Sequence, residues 1–298
     1  MYKLTNNKKP VIYSDVDGTI YRNFNLLEET CKDINFAIEN GADFNICTGN
    51  PVQERMLKLA SKINARYLIC SSGAEIYDVQ NQKIIKTWTI DFSILDELIK
   101  IASKNQFQMI FWDENNYFYL KELPEFNQEI FQYHFISQDN IKKIPQKWNG
   151  QKINPIKIEI YSIDYPLSTT YPQKMYEYIK HIDNIEAIVT YCNIEINAKD
   201  INKGSAVRWM TENVYKNDEV KLDEVMTIGD SNNDLPMLKL TNYSYAMANS
   251  TKLPLQTAKL FTSDVVQNGL GEAILDYLYR LKNIARKHMF HDFLKGGK

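Results

Sequence analysis

Short apolar runs alternate with helical patterns in the first third of the chain. The segments 10–16, 42–49 and 65–73 are apolar runs of strand length, and a continuous apolar run is typical of a strand buried on both faces. Apolar residues recur at helical spacing over 26–38, and Pro51 is placed to begin a second helix. Strands and helices in this order predict a parallel sheet with crossover helices.

The alternation changes near residue 84. Several β-rich segments follow, with one helical pattern over about 167–182 among them. Glu114, Asn115 and Asn116 have the composition of a hairpin turn between two of these segments. We interpret this stretch as an α+β block.

The strand–helix alternation returns at Lys203. A helix is predicted to begin there, a strand follows over 223–230, and two more strands and a helical tail over 271–293 complete the chain. The fold class predicted is therefore α/β: a Rossmann-like core with a parallel sheet and an inserted α+β domain. We assign 1–83 and 196–298 to the core and 84–195 to the inserted domain.

Composition narrows the class of protein. A chain of 298 residues is long enough for about two domains. A formal net charge of −2 provides no basic surface for nucleic acid or an anionic membrane. No apolar run approaches the roughly 18 residues that span a bilayer, and the first ten residues contain no signal-peptide core. We expect a cytoplasmic protein without nucleic-acid or membrane partners; the sequence does not indicate its oligomeric state.

Cysteines and histidines do not form a recognisable metal or disulfide pattern. The four cysteines lie far apart, so free thiols are expected, most of them buried; they are Cys31, Cys47, Cys70 and Cys192. The four histidines have no ligand spacing; they are His134, His181, His288 and His291. Aromatic residues in the inserted block are expected mainly to pack its core; they are Phe107, Phe111, Trp112, Tyr117, Phe118, Tyr119, Phe131, Tyr133 and Phe135.

Two carboxylates follow the first predicted strand. Asp15 and Asp17 precede Gly18 and Thr19, and ligands bind at the carboxyl ends of strands in open parallel sheets. The pair could bind Mg²⁺, or divide the roles of nucleophile and proton carrier. A solvated turn would have the same composition.

A second pair of carboxylates favours the metal. Asp230 and Asp234 follow another apolar strand, and would join the first pair if the two strands are neighbours. Clustered carboxylates repel one another unless a cation binds them. Thr48 and Gly49 end a strand in the same way and could bind phosphate at a helix N-terminus, where Lys203 could neutralise its charge.

These segments together resemble the haloacid dehalogenase superfamily, and its Cof-like phosphatases in particular. The resemblance is carried by four ordered motifs: DVDGT at 15–19, TG at 48–49, Lys203 within INKGSAV, and GDSNND at 229–234. The segments 71–78 and 245–250 resemble two further stretches of that branch. The match covers the core, and the middle block has the position of the family's larger cap.

The resemblance implies roles for individual residues. Asp15 would be the nucleophile that forms an aspartyl-phosphate, and Asp17 the general acid and base. Mg²⁺ would be held by Asp15, the backbone carbonyl of Asp17 and Asp230, with Asp234 nearby. The phosphoryl group would be bound by Thr48, Gly49 and Lys203, with Asn233 close to it.

The sequence departs from the family at two positions. Asn50 stands where an arginine is usual, and Ala248 replaces a glycine; both departures concern substrate preference rather than the reaction. The expected function is a Mg²⁺-dependent phosphatase of small phosphorylated metabolites such as sugar phosphates. A sugar phosphomutase of the same superfamily, or a phosphometabolite sensor without activity, is the alternative.

Overall fold

The computed structural model describes residues 8–134, 145–164 and 168–282. These residues form two β-sheets with helices packed on them. The strands, in chain order, are β1 (Val11–Ser14), β2 (Asp43–Cys47), β3 (Tyr67–Cys70), β4 (Glu75–Asp78), β5 (Lys83–Thr87), β6 (Phe107–Trp112), β7 (Tyr117–Tyr119), β8 (Pro145–Lys147), β9 (Lys157–Ser162), β10 (Ile185–Val189), β11 (Asn193–Ala198), β12 (Met226–Gly229), β13 (Tyr243–Met247) and β14 (Leu260–Thr262). The α-helices are α1 (Glu28–Glu39), α2 (Glu54–Lys62), α3 (Phe92–Lys104), α4 (Pro124–His134), α5 (Tyr171–Tyr176), α6 (Lys203–Asn213), α7 (Leu235–Leu238), α8 (Lys252–Thr257) and α9 (Gly269–Lys282).

The larger sheet has the strand order β14-β13-β12-β1-β2-β3-β4-β5. Pairing is parallel from β14 to β3 and antiparallel from β3 to β5. The apolar run of β1 fits its central position, because alternate residues enter different cores. Ile12 packs in one cluster with residues of α1, α2 and α9, while Val11 and Tyr13 pack in another with residues of α6 and α7.

The smaller sheet has the order β10-β11-β9-β6-β7-β8 and lies within the inserted part of the chain. The predicted turn at 114–116 joins β6 to β7, whose residues Trp112 and Tyr117 are paired. Helices α3 and α5 contact this sheet. An α/β core with a parallel sheet and an α+β insertion is the fold class predicted from the sequence, and it is confirmed.

The aromatic residues of the insertion pack largely as expected. Those on β6 and the first two residues of β7 are buried, while Tyr119 and Phe131 are partly buried. Phe135, His288 and His291 lie outside the described residues, as do the side chains of Tyr133 and His134. All four cysteines are free, and two of them, Cys47 and Cys70, are fully buried. In the part of the chain that the structure describes, no helix is long and apolar enough to cross a membrane.

Two strands cross the domain boundaries predicted from the sequence. Most of strand β5 falls in the predicted inserted domain, yet the strand pairs with β4 and extends the larger sheet to Thr87. Strand β11 runs through the boundary at 195/196 and pairs with β9 over 193–196 and with β10 over 194–198. Both strands are short and β-rich, so composition alone did not indicate which sheet they join.

Two predicted helices differ in extent from the structure, and a third continues beyond the described residues. Helix α2 begins at Glu54 rather than at Pro51, and the intervening residues form a loop. Of the helix predicted over 167–182, residue 167 lies outside the described residues, and α5 spans 171–176 of the remainder. It ends there because the next residues form tighter three-residue turns, such as Tyr178 N–H to the Met175 carbonyl. The tail helix is described as α9 to Lys282, and 283–293 lies outside the described residues.

Candidate active site

The carboxyl ends of three central strands bring the predicted site residues to one edge of the larger sheet. In the register, Ser14 of β1 is level with Ile228 of β12 and Ile46 of β2. Asp15 continues from β1, and its N–H donates to the Ile228 carbonyl at 3.0 Å. Asp230 and Thr48 therefore leave their strands beside it, as the parallel sheet requires.

Lys203 links two buried carboxylates. It opens α6, whose N-terminus is capped by Asn202, and its side chain is fully buried. Its Nζ lies 2.6 Å from Asp15 Oδ1 and 2.6 Å from Asp234 Oδ1. Burial lowers the pKa of Lys203, but the two carboxylates more than offset this effect, and the pKa lies well above the usual value. The ammonium group therefore stays charged and fixes the orientation of Asp15.

Asp234 has both carboxylate oxygens engaged. Oδ1 accepts from Lys203, and Oδ2 accepts from the backbone N–H groups of Asp230 and Ser231 at 2.9 Å each. These bonds hold the loop after β12 in a tight turn. Asp234 thus serves first to place Asp230 and Lys203, which is a more indirect role than that of a metal ligand.

Asp230 is the member of the cluster with a buried carboxylate oxygen that lacks a hydrogen-bond partner. Carboxylate oxygens of Asp15, Asp230 and Asp234 lie within 4.8 Å of one another. Asp230 Oδ1 is buried and has no hydrogen-bond partner. Gly18 has a φ of +92° and is packed against the Asp230 carboxylate, so that a side chain at this position would collide with it.

Burial and mutual repulsion raise the pKa of two carboxyl groups of this cluster, Asp15 and Asp230. Desolvation, opposed by Lys203 and reinforced by Asp234, raises the pKa of Asp15 to about 7. Desolvation and the charges of Asp15 and Asp234 raise the pKa of Asp230 to about 9. A divalent cation would relieve this repulsion and use the unpartnered oxygen, and hard carboxylate oxygens are the ligands that Mg²⁺ prefers. The residues present fit a bound Mg²⁺.

Asp17 lies at the mouth of the same site, and its side chain is 54% exposed. Its Oδ2 accepts from Asn50 Nδ2 at 3.0 Å, and its Oδ1 forms an ion pair with the Arg55 guanidinium. The loop that follows is tied down by Asn249, whose Nδ2 donates to the Gly18 carbonyl at 2.8 Å. Asn50 and Arg55 of α2 thus both bind the Asp17 carboxylate.

The other predicted phosphate-binding residues lie around Asp15. The Thr48 hydroxyl accepts from Asn50 Nδ2 at 2.9 Å, so its own proton is available to another acceptor. The Gly49 carbonyl accepts from Lys157 Nζ at 2.9 Å. Asn233 is directed toward the insertion, because its Nδ2 lies 3.3 Å from Glu195 Oε1.

A cavity of about 520 Å³ lies between the site and the insertion. Asp15, Asp17 and Thr48 line its core side. Polar residues of the insertion line the opposite side; they are Glu129, Glu159, Tyr161, Thr190, Asn193 and Glu195. A cavity of this size accommodates a small metabolite.

The polar network on the insertion's side of the cavity was not predicted from the sequence. Lys157 is fully buried and lies 3.0 Å from Glu159 Oε1 and 3.1 Å from Glu195 Oε2. Ser72 of the core also donates to Glu195. The sequence does contain a relevant alternation, because polar residues occupy every second position of β9 and β11, opposite the isoleucines of the insertion's core. This pattern indicates a face that is not packed in the insertion's own core.

Removing the Lys203 charge should destabilise the protein strongly. Lys203→Met would leave Asp15 and Asp234 buried without their cation, so we expect the free energy of unfolding to fall by about 3–5 kcal/mol. Lys100→Met is the matched control, because the Lys100–Asp96 pair is exposed and an exposed ion pair contributes little to stability. Urea denaturation of both variants measures the difference. Equal stability of the two variants would contradict the buried ion-pair assignment.

The comparisons with known proteins agree with this geometry. The family model described as haloacid dehalogenase-like hydrolase matches residues 12–274. The 5-amino-6-(5-phospho-D-ribitylamino)uracil phosphatase YcsE of Bacillus subtilis is 26% identical over 269 residues, covering 89% of this chain and 94% of that protein. Among solved structures, the HAD subclass IIB sugar phosphatase BT4131 superposes with a TM-score of 0.76 at 19% identity, covering 90% of this chain and 99% of that one.

SMU.1108c from Streptococcus mutans has a similar fold, with a TM-score of 0.74 at 20% identity over 91% of this chain and 99% of that one. The structural likenesses concern the fold, whereas the family model covers both segments that carry the four motifs. The resemblance predicted from the sequence is confirmed: the chain belongs to the haloacid dehalogenase-like hydrolases, as an enzyme of the phosphatase type.

Proposed function

We propose that the chain is a Mg²⁺-dependent phosphatase of small phosphorylated metabolites that works through an aspartyl-phosphate on Asp15. The observation that supports this most is the position of the Asp15 carboxylate. It lines a cavity of metabolite size while Lys203 orients it from below. A fixed carboxylate at the end of a cavity is suited to in-line attack on phosphorus.

The two carboxylates of the first motif, Asp15 and Asp17, have different roles in the formation and hydrolysis of the aspartyl-phosphate. An oxygen of Asp15 attacks phosphorus, the ester P–O bond breaks, and the Asp17 carboxyl gives its proton to the departing oxygen. Asp17 then takes a proton from the water that attacks the aspartyl-phosphate, which releases phosphate and restores Asp15. Asp17 is suited to both transfers because its side chain lines the cavity and is exposed.

Bound Mg²⁺ would supply charge neutralisation between the anionic nucleophile and the phosphoryl group. The residues that would hold it are the Asp15 carboxylate, the Asp17 backbone carbonyl and Asp230. Asp234 would support the site by holding Lys203 and the Asp230 backbone in place, since both of its oxygens accept hydrogen bonds from protein donors. Thr48, Gly49 and Lys203 would bind the phosphoryl oxygens, with Asn233 at their edge.

The insertion is proposed as the cap that selects the leaving group. Given the strand pairings, the insertion begins after β5, near residue 88, and ends after β11, near residue 200. The carboxylates and hydroxyls on its side of the cavity can accept hydrogen bonds from a polyhydroxylated leaving group. We therefore favour sugar phosphates or related metabolites, including nucleotides and flavin phosphates, as substrates.

A phosphate-release screen tests this function. The native protein with Mg²⁺ should release phosphate from p-nitrophenyl phosphate and from some members of a panel of sugar phosphates. EDTA should stop the reaction, and added Mg²⁺ should restore it. Binding without release would indicate a sensor, and isomerised sugar phosphate formed with a bisphosphorylated activator would indicate a mutase; either result would contradict the proposal. Full activity in EDTA would contradict the metal assignment.

A further inference from the structure

Arg55 is a charged side chain that is buried almost completely beside the candidate active site. It lies in the first turn of α2 and is 2% exposed. Its Nε donates to the Tyr21 hydroxyl at 2.7 Å, and its guanidinium lies over the rings of Tyr21 and Phe24 at 5.5 and 4.7 Å from their centroids. These contacts hold the guanidinium plane in one orientation.

The charge of Arg55 is directed at Asp17. Its Nη2 forms the ion pair with Asp17 Oδ1, and its Nη1 lies 3.4 Å from Asn50 Oδ1. Asn50 in turn donates to Asp17 Oδ2 and to the Thr48 hydroxyl. Arg55, Asn50 and Asp17 therefore form a closed ring of hydrogen bonds, with Thr48 attached to it.

Burying the Arg55 guanidinium in this way contributes little to the stability of the fold, because its desolvation is unfavourable. A buried guanidinium loses its hydration, and an ion pair compensates best when both partners are enclosed. Here the partner carboxylate is 54% exposed and lines the cavity. The buried cation thus acts on a carboxylate that is itself accessible to a ligand. Such a device restricts the rotation of an otherwise mobile side chain.

We propose that Arg55, acting through Asn50 and directly, is the positioning residue that holds the Asp17 carboxyl group for proton transfer. This inference rests on the proposed function. A carboxyl group has about four acceptor sites, so two donors leave room for the proton that Asp17 carries. Without Arg55, the Asp17 side chain would rotate among its staggered conformers and spend little time in the reactive one.

The proposal distinguishes between esters with poor and good leaving groups. An alkyl phosphate needs the proton from Asp17 when its P–O bond breaks, whereas p-nitrophenolate leaves without one. Since kcat/KM reports steps up to formation of the aspartyl-phosphate, it isolates this difference. Arg55→Gln should lower kcat/KM for an alkyl phosphate by roughly 30–100-fold. For p-nitrophenyl phosphate the decrease should be less than about threefold, since that step needs no positioned acid.

The experiment compares glucose 6-phosphate, or the best alkyl phosphate of the screen, with p-nitrophenyl phosphate. Arg55→Lys keeps the charge but not the planar fork, so it should restore part of the alkyl-phosphate activity. It carries the same test if Arg55→Gln does not fold. Arg66→Gln is the matched control, because Arg66 also stacks on a tyrosine and pairs with an aspartate, Asp78, away from the cavity. The control should leave the ratio of the two kcat/KM values unchanged.

An equal loss with both esters would overturn the proposal, because it would place Arg55 in substrate binding or in the fold as a whole. Unchanged kinetics with both esters would overturn it as well. In either case the native protein still hydrolyses both esters, so the proposed function stands. Failure of the native protein to hydrolyse either ester would instead remove the proposed function, and this inference with it.

Discussion

Asp15→Asn should abolish phosphate release, while Asp17→Asn should retain the first half of the reaction with an activated ester. The amide at position 15 is a poor nucleophile and cannot form an aspartyl-phosphate. The amide at position 17 cannot move a proton, but its backbone carbonyl remains. General acid–base help is typically worth about 10²–10⁴-fold, so alkyl phosphates should lose roughly that factor in Asp17→Asn.

The first step separates the two variants. With p-nitrophenyl phosphate, Asp17→Asn should release close to one equivalent of p-nitrophenol per active site in a burst, followed by slow turnover, because water is no longer deprotonated. Asp15→Asn should show no burst. Asp96→Asn removes an exposed carboxylate of the insertion and should behave as the native protein does. A burst of equal size in Asp15→Asn would contradict the assignment of the nucleophile.

Asp230→Asn should inactivate the enzyme and yet stabilise the metal-free protein. Turnover should fall by roughly 10²–10³-fold, since a main ligand of the proposed cation is lost. The native carboxylate is largely buried, repelled by Asp15 and Asp234, and has an unpartnered oxygen. At pH 8 the native carboxyl group must take up a proton on folding to avoid that repulsion, and a neutral amide avoids this cost. We expect the melting temperature of the Asp230→Asn variant in EDTA at pH 8 to exceed that of the native protein by about 2–4 °C.

The pH dependence of this effect follows from the pKa of Asp230, which is raised to about 9. Between the ordinary carboxyl pKa near 4 and this value, the folded protein holds a proton that the unfolded chain has released. The stability of the metal-free native protein therefore decreases as pH rises through this window. The advantage of Asp230→Asn should be larger at pH 8 than at pH 5, and saturating Mg²⁺ should reverse it. A native protein at least as stable as the variant at pH 8 in EDTA would contradict this account.

The strand ends of the core could be predicted because local pattern and topology agree there. Continuous apolar runs identify β1, β2 and β12 as buried strands. The carboxylates that follow them must then share one edge of the sheet. Asp15 and Asp230 are found together for this reason. The proposed roles in catalysis and binding stay predictions for all eight site residues, which are Asp15, Asp17, Thr48, Gly49, Lys203, Asn233, Asp230 and Asp234. The bound Mg²⁺, the cytoplasmic location and the absence of nucleic-acid partners also stay predictions.

Arg55 could not be predicted, because its contact depends on where α2 begins. A helix starting at Pro51 would place residue 55 in its second turn, whereas the loop over 48–53 brings Asn50 and Arg55 around to Asp17. Helix bounds are decided by capping and tertiary contacts that short-range pattern does not contain. Asp234 is similar, since only the observed turn shows that both of its oxygens are engaged.

The polar face of the insertion could not be placed from the sequence, for a different reason. Alternating polar residues on β9 and β11 indicate a face that is not packed in the insertion's own core. What that face meets depends on how the insertion lies against the core, and Lys157 reaches across to the Gly49 carbonyl. Long-range placement of this kind is encoded in no local motif.

The central claim is that the phosphoryl group passes through Asp15, and locating that group tests it most directly. Asp17→Asn, mixed with p-nitrophenyl phosphate and Mg²⁺ and quenched in acid, should gain the mass of one phosphoryl group. Peptide mass spectrometry should place it on Asp15, and hydroxylamine should remove it, as expected of an acyl phosphate. A phosphoryl group on any other residue, or hydrolysis by the native protein with no phosphorylated species in this variant, would contradict the account.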